Sequence, residues 1–228
     1  DSLVSTTGNV FYTPFDYILR DYNSLGDGLV CSNGNVFVVD ELYHHPWDSW
    51  HNRLKVEGER VNGHKVKETT SVEYRRNLQY SDSLYTKVSG GQYLEIVPKS
   101  SNSVTEVDFN IWNTLAATYD VKVVFLPQSL ATDRSIGIKP NHLNVSLSYL
   151  DEQGRTKTAN LAMTKDSLLV DPTRIDTVHV GTFTFPVATY GEEKSSTTLK
   201  VKSVVSSKDK TKSRTMLIDC VIFEPIKE

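Results

Sequence analysis

The sequence is short of alanine, with 6 in 228 residues, and has only 2 cysteines, 2 methionines and 3 tryptophans. Few alanines remove the strongest helix former and argue against a helical domain. The two cysteines, Cys31 and Cys220, lack the paired spacing of a zinc site, and a chain of this length needs no disulfide staple. Both sit in apolar, strand-like runs, where cysteine packs as a small hydrophobe; one disulfide between them is the alternative. No charge dominates: Lys+Arg 25 against Asp+Glu 28 gives a formal charge of −3, without the basic excess of a nucleic-acid binder. No apolar run approaches the roughly 18 residues of a membrane-spanning helix. There is no Gly-x-Ser-x-Gly elbow and no His-Glu-x-x-His. The one adjacent glycine pair, in Ser89-Gly90-Gly91, precedes no helix that could cradle a phosphate. The chain is therefore read as not an enzyme.

What is abundant is Val (26), Ser (23) and Thr (22), with Tyr (11) and Phe (8). β-Branched and aromatic side chains suit a pleated surface, so the chain reads as all-β. Ten runs are expected as strands: 54–60, 71–75, 92–97, 105–111, 118–126, 142–150, 156–163, 177–185, 199–205 and 214–223. Several alternate polar and apolar residues. In Leu199-Lys200-Val201-Lys202 the lysines are expected to face water, and in Thr182-Phe183-Thr184-Phe185 the phenylalanines to face inward. Gly154 marks a hairpin tip in 149–155. The basic stretch 208–214 reads as a second, solvated hairpin tip. About ten strands with polar turns predict a two-sheet sandwich.

Residues 1–53 differ. Thr13-Pro14 caps a short helix candidate over 13–20. A hairpin is expected around Asn33-Gly34. The run His44-His45-Pro46-Trp47-Asp48-Ser49-Trp50 reads as a connector, because Pro46 breaks strand pairing. His44, His45, Asp48 and His51 are suitable metal ligands in type, but neighbouring side chains diverge in an extended segment, and a polar linker is the preferred reading. Asn144-Val145-Ser146 is a formal glycosylation sequon placed within a strand.

The segment Asp27 to Leu42, with its Asn-Gly turn and the run Val36-Phe37-Val38-Val39-Asp40-Glu41-Leu42, resembles the closing hairpin of a fasciclin-like domain. Four further blocks resemble, in order, the strands of galactose-binding-like jelly rolls, the scaffold of many carbohydrate-binding modules. They are Leu54-Lys55-Val56-Glu57-Gly58-Glu59, Gly91-Gln92-Tyr93-Leu94-Glu95-Ile96, the run from Ala117 to Phe125, and the run from Leu217 to Pro225. These resemblances imply a fasciclin-like C-terminal remnant over 1–45, a linker over 46–53, and a jelly-roll β-sandwich over 54–228.

In that family, acidic residues of the opening strand often help to hold a structural calcium. The matching positions are Glu57 and Glu59, with Asp219 a further oxygen ligand; a solvated strand face is the alternative. Trp47, Trp50 and Trp112 are the candidates for stacking on a sugar, with packing as the alternative for each. The expectation is a non-catalytic extracellular or cell-surface module, its signal or lipid anchor absent from these residues, that takes part in adhesion or glycan binding. Its expected partners are a glycan or surface protein and a neighbouring fasciclin-like domain. A structural spacer and a glycan-hydrolase accessory are the alternatives, the latter requiring two facing acids in a cleft.

Overall fold

The structure, a computed structural model, describes residues 2–4, 10–12, 29–32, 34–36, 52–161, 168–191 and 196–226. It divides into two units, residues 1–52 and 53–228. In the first unit, strand β1 (Ser2–Val4) pairs antiparallel with β2 (Val10–Tyr12), and β3 (Leu29–Cys31) with β4 (Gly34–Val36). Cys31 pairs with Gly34. Gly34, expected in the turn of this hairpin, lies in its second strand, and Asn33 lies outside the described residues. The helix candidate at 13–20 and the tryptophan–histidine connector lie outside the described residues.

The second unit is all-β, with two six-stranded antiparallel sheets. Its strands run β5 (Leu54–Glu57), β6 (His64–Val66), β7 (Ser71–Asn77), β8 (Gln92–Pro98), β9 (Glu106–Ile111) and β10 (Thr118–Phe125). They continue as β11 (Asn141–Leu150), β12 (Thr156–Asn160), β13 (Leu168–Val170), β14 (Asp176–Thr184), β15 (Thr197–Ser203) and β16 (Met216–Pro225). All ten expected strands are present. The two that were not expected, β6 and β13, have three residues each, too few for an alternating pattern to stand out.

The first sheet has the order β14-β10-β16-β8-β7. Its long strand β16 shares one flank between β8, opposite Met216–Ile218, and β5, opposite Cys220–Phe223. The second sheet has the order β12-β11-β15-β9-β6, with β13 alongside the start of β11. Successive strands pass repeatedly from one sheet to the other, as in a jelly-roll sandwich.

Alternation builds the core. Leu199 and Val201 of β15 are fully buried, as are Leu143, Val145 and Leu147 of β11 and Val107 and Phe109 of β9. They meet Leu94 and Ile96 of β8, Val121 and Val123 of β10 and Val221 and Phe223 of β16 in one continuous cluster. Phe185 is buried and Phe183 packs at the cluster's margin, as expected. Lys200 and Lys202 point outward and stay half-exposed to water, as expected, while their ammonium groups approach the carboxylate of Glu106 at 3.0 and 3.7 Å.

Two turn assignments have different outcomes. The 151–155 tip is a hairpin: the Asp151 N–H donates to the Arg155 carbonyl, the Arg155 N–H donates back to Asp151 Oδ1, and Gly154 has φ 72°. The basic stretch 208–214 is not a hairpin tip. It lies in the crossover from β15 in one sheet to β16 in the other, where Ser213 bridges to Asn141. Charge composition fits either kind of connection, and only pairing separates them.

Candidate functional site

The site begins with an irregularity in β16. Against β10, Cys220 pairs with Val124 and Ile218 with Phe125, which leaves Asp219 as an extra residue in a β-bulge. The bulge interrupts the alternation. Ile218 and Val221 both join the core, and Asp219 and Cys220 both turn to the outer face of the first sheet. Cys220 pairs with Glu57 of β5, so ligand atoms of Glu57, Asp219 and Cys220 lie within 4.8 Å of one another. Gly58 follows immediately, and its backbone N–H donates to the Asp219 carbonyl at 2.7 Å. A Cβ there would stand 2.6 Å from the Ile218 carbonyl oxygen, so glycine is what permits this close crossing.

The segment 78–91 covers this face. Its ends are tied by the Leu78 N–H to Gly91 carbonyl bond of 2.8 Å, the geometry of a compact Ω-type loop. Leu78 and Val88 bury against Tyr93, Leu126, Ala131 and Leu217 in a second, smaller core. The loop ends in a 3-10 turn, Ser89–Gly91, with Gly90 and Gly91 at φ 60° and 65°. A Cβ on Gly91 would meet the Tyr85 ring at 2.6 Å.

Ser89 is the contact between this loop and the strands. Its N–H donates to Asp219 Oδ1 at 3.1 Å and its hydroxyl to Glu57 Oε1 at 2.7 Å. Lys55, two residues before Glu57 on the same face, donates to Ser89 Oγ and lies 2.9 Å from Glu57 Oε1. Glu57 Oε2 and Glu59 Oε2 are buried without a hydrogen-bond partner.

Burial, with help from the Glu57 charge, pushes Asp219 up to about 6. Burial also raises Glu59. Lys55 is held above its usual range; burial opposes its charge, and the Glu57, Asp219 and Cys220 side of the site outweighs that. Cys220 is a free buried thiol, pushed up by burial and then by Asp219, so it stays protonated at neutral pH and supplies no thiolate.

Of the three carboxylates named from sequence as calcium ligands, the structure brings Glu57 and Asp219 together, with the Ser89 hydroxyl as a third oxygen; Glu59 is outside that close group and is felt at Asp219 only through its charge. Two orphaned, buried carboxylate oxygens and a protonated thiol fit a hard divalent cation better than a soft one. In such a site the cation would clamp β5, β16 and the 78–91 loop together; it has no bond chemistry to perform. Sequence reasoning missed Ser89 and Lys55. Lys55 was visible as part of the i, i+2 pattern with Glu57, whereas Ser89 carried no signal.

The same loop carries an open aromatic surface. Tyr80 is 87% exposed, and its ring centroid lies 5.3 Å from that of the half-buried Tyr85, at 59°. Tyr190, on another loop, is also almost fully exposed. The tryptophan candidates fare differently. Trp47 and Trp50 lie outside the described residues, as do His44, His45, Asp48 and His51. Trp112 is 8% exposed, packs in the main core and has the Arg60 guanidinium 4.4 Å from its ring centroid. Its ring is a packing element and presents no open face for a sugar.

Two cavities open beside β6. One of about 450 Å3 is lined by His64, Lys65, Glu68, Glu73 and Lys99, and one of about 330 Å3 by Lys65, Lys67, Lys200, Glu106 and Asp108. Lys67, Lys200 and Lys202 hold Glu106 below its usual range against the opposing effect of its burial. A carboxylate engaged by three ammonium groups is a poor general acid or base.

No family model and no curated protein matches the sequence. Among solved structures, the chain is similar to the CBM22-1 and GH10 modules of Clostridium thermocellum endo-1,4-beta-D-xylanase 10B, complexed with xylohexaose. The TM-score is 0.46 at 12% identity, over 78% of this chain and 28% of that one. It is also similar to the CBM22-1 xylan-binding domain of Paenibacillus barcinonensis, with TM-score 0.46 and 13% identity over 78% of this chain and 94% of that one. A third is the Podospora anserina GH26-CBM35 beta-(1,4)-mannanase, with TM-score 0.40 and 11% identity over 78% and 28%. Among the described residues, no helix is long and apolar enough to cross a membrane.

Proposed function

We propose that the sandwich is a non-catalytic glycan-binding module that makes contact through its 78–91 loop. The observation that carries this reading is Tyr80, an aromatic ring held in solvent against Tyr85 on a loop whose base is anchored by Ser89 to Glu57 and Asp219. A large amphipathic ring kept open to water gains nothing for the fold. It offers a face for the C–H surface of a pyranose, with loop backbone and hydroxyl groups beside it. The Glu57, Glu59 and Asp219 set serves, in this proposal, as a calcium site at the base of the loop. An extracellular or cell-surface setting, where soluble and wall-bound glycans and millimolar calcium occur, goes with the reading, and so does adhesion as its use.

Affinity electrophoresis of the chain through gels carrying xylan, mannan or a uronate polysaccharide tests it. Retardation by one of them that disappears in Tyr80→Ala, with the melting temperature unchanged, is the expected result. Equal mobility of both proteins in every gel would sink the proposal and leave a structural spacer as the better reading.

A further inference from the structure

We propose that Lys55 is the resident cation of the carboxylate cluster, and that a divalent ion binds there only by displacing its ammonium group. This rests on the calcium reading of Glu57, Glu59 and Asp219 and says how that site is governed. The Lys55 ammonium already engages part of the donor set: it touches Ser89 Oγ and Glu57 Oε1, the oxygens that join strand to loop. Glu57 and Asp219 converge there, with the charge of Glu59 close enough to be felt by Asp219, and one ammonium answers them; Glu57 Oε2 and Glu59 Oε2 remain buried and unpartnered. The cluster is therefore held together without metal, yet it stays short of positive charge and open to a stronger cation.

Geometry supplies the exit route. Lys55 lies on the outer face of β5 opposite Ile222, and its side chain is 34% exposed. Its aliphatic stem can stay on the sheet while the ammonium swings into water. A calcium ion bound beside the undisplaced ammonium would meet like charge at close range, in partly desolvated surroundings where that repulsion is least screened. Lys55 thereby weakens calcium binding while keeping the 78–91 loop anchored when calcium is absent. The lysine two residues before Glu57 makes the metal optional.

The test compares the full chain with Lys55→Met at about pH 7.5, above the range where Asp219 titrates. Calcium binding is read by calorimetry and thermal unfolding is followed in millimolar EDTA and in millimolar calcium. The wild-type chain is expected to melt at nearly the same temperature in both. Lys55→Met is expected to melt lower in EDTA, to recover in calcium, and to bind the ion at least about ten-fold tighter. Adding Glu57→Gln to the variant should abolish the recovery. Equal calcium affinity and equal Tm gain in wild type and Lys55→Met would overturn the competition while leaving the calcium site standing. A calcium response in neither protein would overturn both. Lys55→Gln, which keeps a polar head group, carries the same comparison if the methionine variant does not fold.

Discussion

His64 Nε2 stands 2.9 Å from Glu73 Oε2 and joins the edge strands of the two sheets, β6 and β7, with its imidazole side chain only 1% exposed. Burial lowers the His64 pKa below its usual 6.5, against the opposing pull of the Glu73 hydrogen bond. The folded state therefore binds this proton less readily than the unfolded chain. The His64 contribution to stability is complete above the unfolded value and is lost as pH falls through about 6.5. Urea midpoints should drop between about pH 7.5 and pH 5, and His64→Gln should remove that part of the drop. An unchanged pH profile in His64→Gln would rule out this role.

Asp219 acts with the opposite sign. Its folded pKa of about 6 lies above the usual aspartate value of 3.8, so the folded state holds the proton more tightly than the unfolded chain. Its favourable contribution is complete below the unfolded value and disappears as pH rises toward 6. In the absence of a bound cation that gap corresponds to roughly 3 kcal/mol. Asp219→Asn, whose amide oxygen can still accept from Ser89 N–H, should therefore stabilise the metal-free chain by up to that amount at pH 7.5. It should have little effect near pH 3.5. Guanidinium unfolding in EDTA at the two pH values reads the difference.

Glu95 is fully buried on the outer face of the first sheet, yet it is well supplied with donors. Arg76 Nε at 2.8 Å, Thr132 N–H at 2.8 Å and Thr132 Oγ1 at 2.7 Å all donate to it. Removing one partner of a buried pair strands the other, which costs about 3–5 kcal/mol. Arg76→Ala should therefore destabilise the protein more than the double change Arg76→Ala/Glu95→Leu, which strands neither charge. A double-mutant cycle in urea measures the coupling, and additivity of the two changes would remove the claim.

Trp112 is expected to behave as a core residue. Trp112→Ala should cost about 3–5 kcal/mol, and Arg60→Ala only about 0.5–1 kcal/mol. In the electrophoresis assay, a folded Trp112→Phe protein should keep its glycan retardation. Loss of retardation with unchanged stability would instead make this ring part of the binding surface.

The strands were legible because burial imposes a period of two, and runs such as Leu199-Lys200-Val201-Lys202 carry it openly. Glu57 was legible as an outward residue of the opening strand, whereas Glu59, expected on the same strand face, lies in the turn that follows because β5 ends at Glu57. Tyr80 was not, since an exposed tyrosine in a polar loop has the same local sequence as a half-buried one such as Tyr85. Trp112 was ambiguous for a similar reason: a strand-end tryptophan can pack inward or stand open, and the position of Arg60 over its ring decides the matter.

The sequence by itself determined the all-β class, the alternation that sorts core from surface, and the positions of most strands, because these follow from side-chain shape and polarity along neighbouring residues. Tertiary structure alone decided that Asp219 is a bulge residue, that Cys220 shares its face, and that Ser89, 130 residues away, bonds to Asp219. It also decided that the Lys55 ammonium meets Glu57 and Ser89 where strand and loop join. Those facts depend on strand register and loop closure between distant segments, and no local pattern encodes the distance between them.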